Sequence, residues 1–117
     1  MEIAEVRDGQ TVIISLAGKL DNASAPILAE KAGALCDTGV HTILIDLQRV
    51  EYTTSAGFRA LITIKRRAER DSIQLALCGL NELIRDLFDV SGLCDNFRIY
   101  QDRASALEAV GEATRPT

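Results

Sequence analysis

Apolar and polar positions divide the chain into short blocks of two kinds. Ile3 to Val6 and Thr11 to Ala17 read as strands joined by a turn at Asp8-Gly9-Gln10, and β-branched residues dominate the second of them. Gly18-Lys19-Leu20-Asp21-Asn22 reads as a loop. Ser24 followed by Pro26 signals a helix entry. The spacing predicts a helix from about Ala25 to Cys36 with Ile27, Leu28, Ala32 and Leu35 inward, stopped by Thr38-Gly39. Thr42-Ile43-Leu44-Ile45-Asp46 lacks polar alternation, as expected of a central strand covered on more than one side. A polar connection then leads to a helix from Ser55 to Arg70, and Ile73 to Cys78 predicts a fourth strand. Asn81 is placed to cap a short helix in which Leu83, Ile84, Leu87 and Phe88 recur at helical spacing, ended by Ser91-Gly92. Phe97 to Tyr100 predicts a last strand, and Asp102 opens a final helix carrying Ala104, Leu107 and Val110.

Two opening strands followed by alternation of strand and helix predict an α/β fold, a single layer of mixed sheet with about five strands and about four helices. No repeat, low-complexity tract or linker interrupts it. One domain over residues 1–111 is expected, with 112–117 a disordered tail.

A wheel of Ser55 to Arg70 at about 100° per residue assigns roles to that helix. Gly57, Leu61, Ile64 and Ala68 form the inward stripe, with Ala60 beside them. Arg59, Thr63, Arg67 and Arg70 lie opposite, where solvation is expected. Ser55, Phe58, Arg59, Ile62 and Arg66 share one flank. Phe58 and Ile62 widen the apolar arc there, so either the core is broad at this point or the flank is a docking patch beside Ser55.

Composition narrows the functions open to such a domain. A net charge of −4 argues against a nucleic-acid partner, and the one basic run, Lys65-Arg66-Arg67, falls inside a helix. Cys36, Cys78 and Cys94 are odd in number without C-x-x-C spacing, which fits reduced thiols in a cytoplasmic setting better than disulfides or a metal site. Cys78 reads as core. Cys36 and Cys94 fall at element ends, with their reactivity left open. No signal peptide and no apolar run of bilayer length is visible, so direct membrane insertion is not expected. His41 is the one histidine and precedes the central strand; with no G-x-S-x-G elbow, catalysis is not expected. The glycines form no nucleotide-binding pattern, and no cofactor is expected. Asp46, ending a strand, is expected to bond to the loop after it.

The chemistry concentrates at Thr53-Thr54-Ser55-Ala56-Gly57, where a helix begins. A hydroxyl there can accept a bond from a first-turn N–H, and a helix start accommodates a phosphate without a cationic side chain. Ser55 is the candidate phosphorylation site, with Thr54 and Thr53 as rival hydroxyls.

The segment Asp46-Leu47, Val50, Tyr52 and Thr54-Ser55-Ala56-Gly57-Phe58, with Leu61 a turn later, resembles the signature of STAS domains. Gly18-Lys19-Leu20-Asp21 and Leu87-Phe88-Asp89-Val90-Ser91-Gly92-Leu93 are similar to two further family motifs, in the right order over nearly the whole chain. The resemblance implies a STAS-like sheet and a bacterial, non-enzymatic anti-sigma factor antagonist. Such a protein binds an anti-sigma factor serine kinase of the histidine-kinase-like ATPase fold. Phosphorylation of the serine matching Ser55 abolishes binding, and a PP2C-type phosphatase restores it. By this likeness the partner-binding residues are Asp21, Asn22, Thr54, Ser55, Phe58, Arg59 and Ile62, although Asp21 also reads as a turn carboxylate capping the first helix. One departure is Thr54, which stands where the family often carries Asp. It keeps open an alternative, a STAS accessory subunit of a membrane lipid-transport complex or stress-sensing assembly without a phospho-switch.

Overall fold

The hairpin read from the first two apolar blocks forms between β1 (Glu2–Asp8) and β2 (Thr11–Leu20), with Gly9 at φ +63° in the turn, a conformation that costs a residue without Cβ little. A computed structural model describes residues 1–114, with their side chains except at 93, 94 and 111–114. Beyond the antiparallel hairpin every pairing is parallel. β2 pairs with β3 (Thr42–Thr53), β3 with β4 (Gln74–Cys78) and β4 with β5 (Arg98–Tyr100), so the strands lie in chain order.

Helices α1 (Ala25–Cys36), α2 (Ser55–Arg70) and α3 (Glu82–Ser91) each link one parallel strand to the next. All three crossovers step the same way along the sheet, and right-handed crossovers then place all three helices on one face. Leu28 and Ala32 of α1, Leu61 and Ile64 of α2, and Ile84 and Phe88 of α3 pack there against Val12, Ile14, Ile43 and Ile45. Only α4 (Arg103–Thr114), which comes after the last strand, is free to cover the opposite face. Its Ala106 and Val110 meet Ile13, Leu44, Ala76 and Cys78. A mixed five-stranded sheet with four helices is the expected architecture.

The differences lie in where elements end and which way side chains point. β2 runs on to Leu20 and β3 on to Thr53, so the expected loop and polar connection are in large part paired strand. Gln48, Arg49 and Glu51 look polar because this half of β3 is open to solvent at those positions, while Leu47, Val50 and Thr53 stay buried. Two register shifts, at Ser15/Ala17 and Gly18/Lys19, let β2 track it. Ile27 is 58% exposed rather than inward, because the buried stripe of α1 is Ala25, Leu28, Ala32 and Cys36 and Ile27 falls nearly opposite. Leu83 is likewise exposed on α3, and Ala104 is exposed on α4, whose core contact is Ala106. Asn81 caps α3 as its sequence suggests, its side-chain oxygen accepting from the Ile84 N–H at 2.8 Å. α4 is helical to Thr114, beyond the boundary expected at 111, and residues 115–117 of the expected tail lie outside the described residues.

Candidate functional site

Thr53, Thr54 and Ser55 sit at the carboxyl end of β3, and their hydroxyls have three different fates. Thr53 is buried, with its hydroxyl donating to the Thr54 carbonyl at 3.1 Å. Thr54 is the extended residue before α2 (φ −95°, ψ 177°); its Oγ1 is buried without a hydrogen-bond partner. Ser55, the first residue of the helix, is exposed. Neither hydroxyl caps the helix in the way the sequence suggests, and the first turn holds no acidic residue. The start of α2 therefore keeps its partial positive charge unanswered by any side chain.

Gly57 explains how Ser55 reaches its position. A β-carbon at 57 would lie 2.0 Å from Thr53 Oγ1 and 3.0 Å from the Leu20 carbonyl oxygen, so the first turn of α2 rests directly on the end of β2. The Thr54 N–H donates to the same Leu20 carbonyl at 2.9 Å. That contact sets the Ser55 turn beside the turn after β2, where Asp21 and Asn22 lie. Asp21 is partly buried and organises its own turn: Oδ1 accepts from the N–H groups of Ala23 at 3.0 Å and Ser24 at 3.1 Å. The Ser24 N–H bond foremost holds its carboxyl below the usual carboxylate range. Asp21 is thus the turn carboxylate at the entry to α1, and Asn22 beside it is exposed.

Along α2 the flank beyond Ser55 divides in two. Phe58 and Ile62 are half-buried and pack on the main core, with the Phe58 ring meeting Phe88 edge to face at 5.1 Å. This favours the broad core over an apolar docking patch. Arg59, Thr63, Arg66 and Arg70 are exposed. Arg67, expected to be solvated, is half-buried in ion pairs with Asp37 and, at 2.7 Å, Asp71.

The opposite face carries a polar cluster around Asp46 that no sequence signal announces. Asp46 Oδ1 accepts from the Gln48 N–H at 2.9 Å, the expected bond to residues just beyond it. Its Oδ2 accepts from Arg103, whose Nη2 also donates to Ser15 Oγ at 2.6 Å. Residues 57 and 88 positions apart in sequence carry no mutual signal in a single chain. Cys78 lies against this carboxylate, and burial, with the Asp46 charge, pushes its thiol up to about 12. Burial also raises Cys36, so neither is a thiolate near neutral pH. The Cys94 side chain lies outside the described residues. Among the described residues no group of three or more His, Cys, Asp or Glu is arranged to hold a metal ion, and no helix is long and apolar enough to cross a membrane.

Signature turn, sheet order and helix placement together define one class. The chain belongs to the STAS domain family, whose model matches residues 2–106. It is 30% identical over 98 residues to BtrV of Bordetella bronchiseptica, named as an anti-sigma factor antagonist, covering 84% of each chain. It is 33% identical over 82 residues to the anti-sigma-B factor antagonist of Bacillus subtilis, covering 70% of this chain and 74% of that one. In structure it is similar to an anti-sigma factor antagonist of Thermotoga maritima (TM-score 0.87, 19% identity, 92% and 93% of the two chains). It is also similar to the phosphorylated form of the Bacillus cell fate determinant SpoIIAA (TM-score 0.73, 22% identity, 93% and 99%).

Proposed function

We propose that this chain is an anti-sigma factor antagonist working by partner switching in the cytoplasm. Unmodified, it binds an anti-sigma factor, a serine kinase of the histidine-kinase-like ATPase fold, through the face around Asp21, Asn22, Thr54, Ser55 and Arg59. To that face the core residues Phe58 and Ile62 add only their half-exposed edges. Phosphorylation of Ser55 releases it, and a PP2C-type phosphatase resets the switch. The observation that carries this reading is that Ser55 is the one exposed hydroxyl of three in succession, at a helix start no side chain caps. The names of its relatives point to an anti-sigma factor as the partner.

The physics of the switch needs no change of fold. A phosphate adds roughly −1.5 to −2 charges, which the uncapped start of α2 accommodates in the free domain. A partner built around a neutral hydroxyl would instead bury a charge to which it offers no counter-ion, at up to about 3–5 kcal/mol, less what Arg59 one turn away neutralises. At about 1.4 kcal/mol per decade, the full penalty weakens binding by roughly two to three and a half orders of magnitude.

The test is capture from the native host. Ser55→Ala retains the kinase through washing, Ser55→Asp and Ser55→Glu do not, and wild type incubated with the captured kinase and ATP gains about 80 Da. Equal retention of all three variants would remove the phosphoserine mechanism. Thr54, in the place where the family often carries Asp, favours the accessory-subunit reading; an unchanged mass after that incubation would support it.

A further inference from the structure

Three of the five cations on α2 stand along one exposed ridge, two of them without an ion pair to any described residue and the third in a long one. At 100° per residue, Ser55, Arg66, Arg59, Arg70 and Thr63 fall within about 80° of one another. Arg59 and Arg66 form no ion pair with any described residue, and Arg70 reaches only Asp71, at 3.5 Å, which already pairs with Arg67 at 2.7 Å. The other two cations are satisfied, Lys65 by Glu69 and Arg67 by Asp37 and Asp71. In a chain of net charge −4 this run of three arginines spans about 16 Å of the helix from Arg59 to Arg70.

The ridge also borders a trench. Pro26, Ala29, Ala56, Arg59 and Thr63 line its first part between α1 and α2, and Ala29, Gly33, Thr63, Arg66 and Arg70 line the next. Ala29 and Thr63 line both, so the two depressions adjoin at the middle of α2 and together follow its length. The trench's small side chains leave room for a protruding segment, while the arginines on its rim select that segment's charge.

We propose that this ridge and trench dock a carboxylate-rich segment of the kinase, a partner whose existence rests on the proposed function. Arg59 lies one turn after Ser55, within reach of a phosphate there. Phosphorylation then offsets about half or more of the ridge's charge and competes with the partner's carboxylates for the same guanidinium groups. A nucleic acid fits less well, because the basic surface is short and the chain as a whole is acidic, with a pI of about 4.9.

The experiment measures the affinity of the kinase captured with Ser55→Ala for wild type, R66E/R70E and R66K/R70K, by calorimetry at low and high salt. The charge-reversed protein is expected to bind roughly 30-fold more weakly at low salt and to lose most of its salt dependence, with the lysine pair within about threefold of wild type. Both positions are exposed, and matching melting curves verify the fold. Unchanged affinity of R66E/R70E, with Ser55→Asp still released, overturns the docking inference and leaves the switch standing. Failure to recover a kinase, or Ser55→Asp binding like wild type, overturns the switch and this inference with it. Arginine-dependent retention on phosphatidylglycerol vesicles, with kinase affinity unchanged, assigns the ridge to lipid and overturns it as well.

Discussion

Gly57 lies so close to Leu20 that a β-carbon on it would stand 2.8 Å from Leu20 Cγ. Alanine is the better helix former by about 1 kcal/mol, yet Gly57→Ala is expected to destabilise the domain. The clash with Thr53, Leu20 and the Leu20 carbonyl outweighs the helical gain, at a net cost of about 1–3 kcal/mol. A fall in the urea midpoint with an unchanged m-value checks this. Partner affinity should fall as well, because relieving the clash moves the turn that carries Ser55.

Thr54→Val should be neutral or stabilising by up to about 1 kcal/mol, since it replaces a buried hydroxyl without a hydrogen bond by a methyl of the same shape. The same variant separates the two adjacent candidates for modification. If Ser55 is the acceptor, Thr54→Val still gains one phosphate on incubation with kinase and ATP, read by intact mass. Loss of that gain with the fold retained would move the site to Thr54.

Asp46 and Arg103 tie α4 to the sheet. Removing the arginine leaves a carboxylate on a residue only 7% exposed without its cation. Because the Arg103 side chain is 40% exposed, water compensates in part, and Arg103→Ala is expected to cost about 1–2 kcal/mol rather than the full penalty for a buried charge. Asp46→Asn in the same chain should recover part of that loss. A double-mutant cycle on denaturation midpoints measures the coupling, and strict additivity would count against it.

Asp21 accepts N–H groups of the turn leading into α1, and Asp102 accepts the Ser105 N–H in the first turn of α4. Both titrate below the usual carboxylate range for that reason first. Near pH 4 the unfolded chain therefore binds more protons than the folded one. Their stabilisation is fully present above about pH 4 and is lost as the pH falls through the lowered folded values. The melting temperature should drop on acidification through that window, and Asp21→Asn and Asp102→Asn should each flatten the dependence.

Those same two carboxylates show what the sequence could reveal. Asp102 before a helical pattern and Asp21 before Ser24 are local signals, and local signals placed α1 and α2 at their observed bounds. The signature around Ser55 located the turn because small hydroxyl residues and a glycine crowd a helix start, although part of the contact that demands Gly57 comes from Leu20 on β2. What escaped was set by distant parts of the chain. Gln48, Arg49 and Glu51 read as a connection because nothing nearby states that β2 will pair beside them. The orientation of Ile27 depends on which stripe of α1 meets the sheet, and that stripe holds one large residue, Leu28, among Ala25, Ala32 and Cys36. Arg67 reads as solvated until Asp37, from the end of another helix, comes to meet it. Thr54 and Ser55 are adjacent hydroxyls in sequence, and only the backbone turn between them buries one and opens the other.

The strands lie side by side in the order in which they are made. A ribosome releasing this chain therefore delivers each strand next to a neighbour already waiting, with no gap held open for a later arrival. Leu20, Thr53 and Gly57, which seat the Ser55 turn on the end of β2, have all emerged by Arg70. Asn81, which bonds the end of β3, and Phe88, whose ring meets Phe58, come later. The turn that carries Ser55 thus belongs to the early-assembling part of the molecule, and α3 adds its contacts to β3 and Phe58 afterwards.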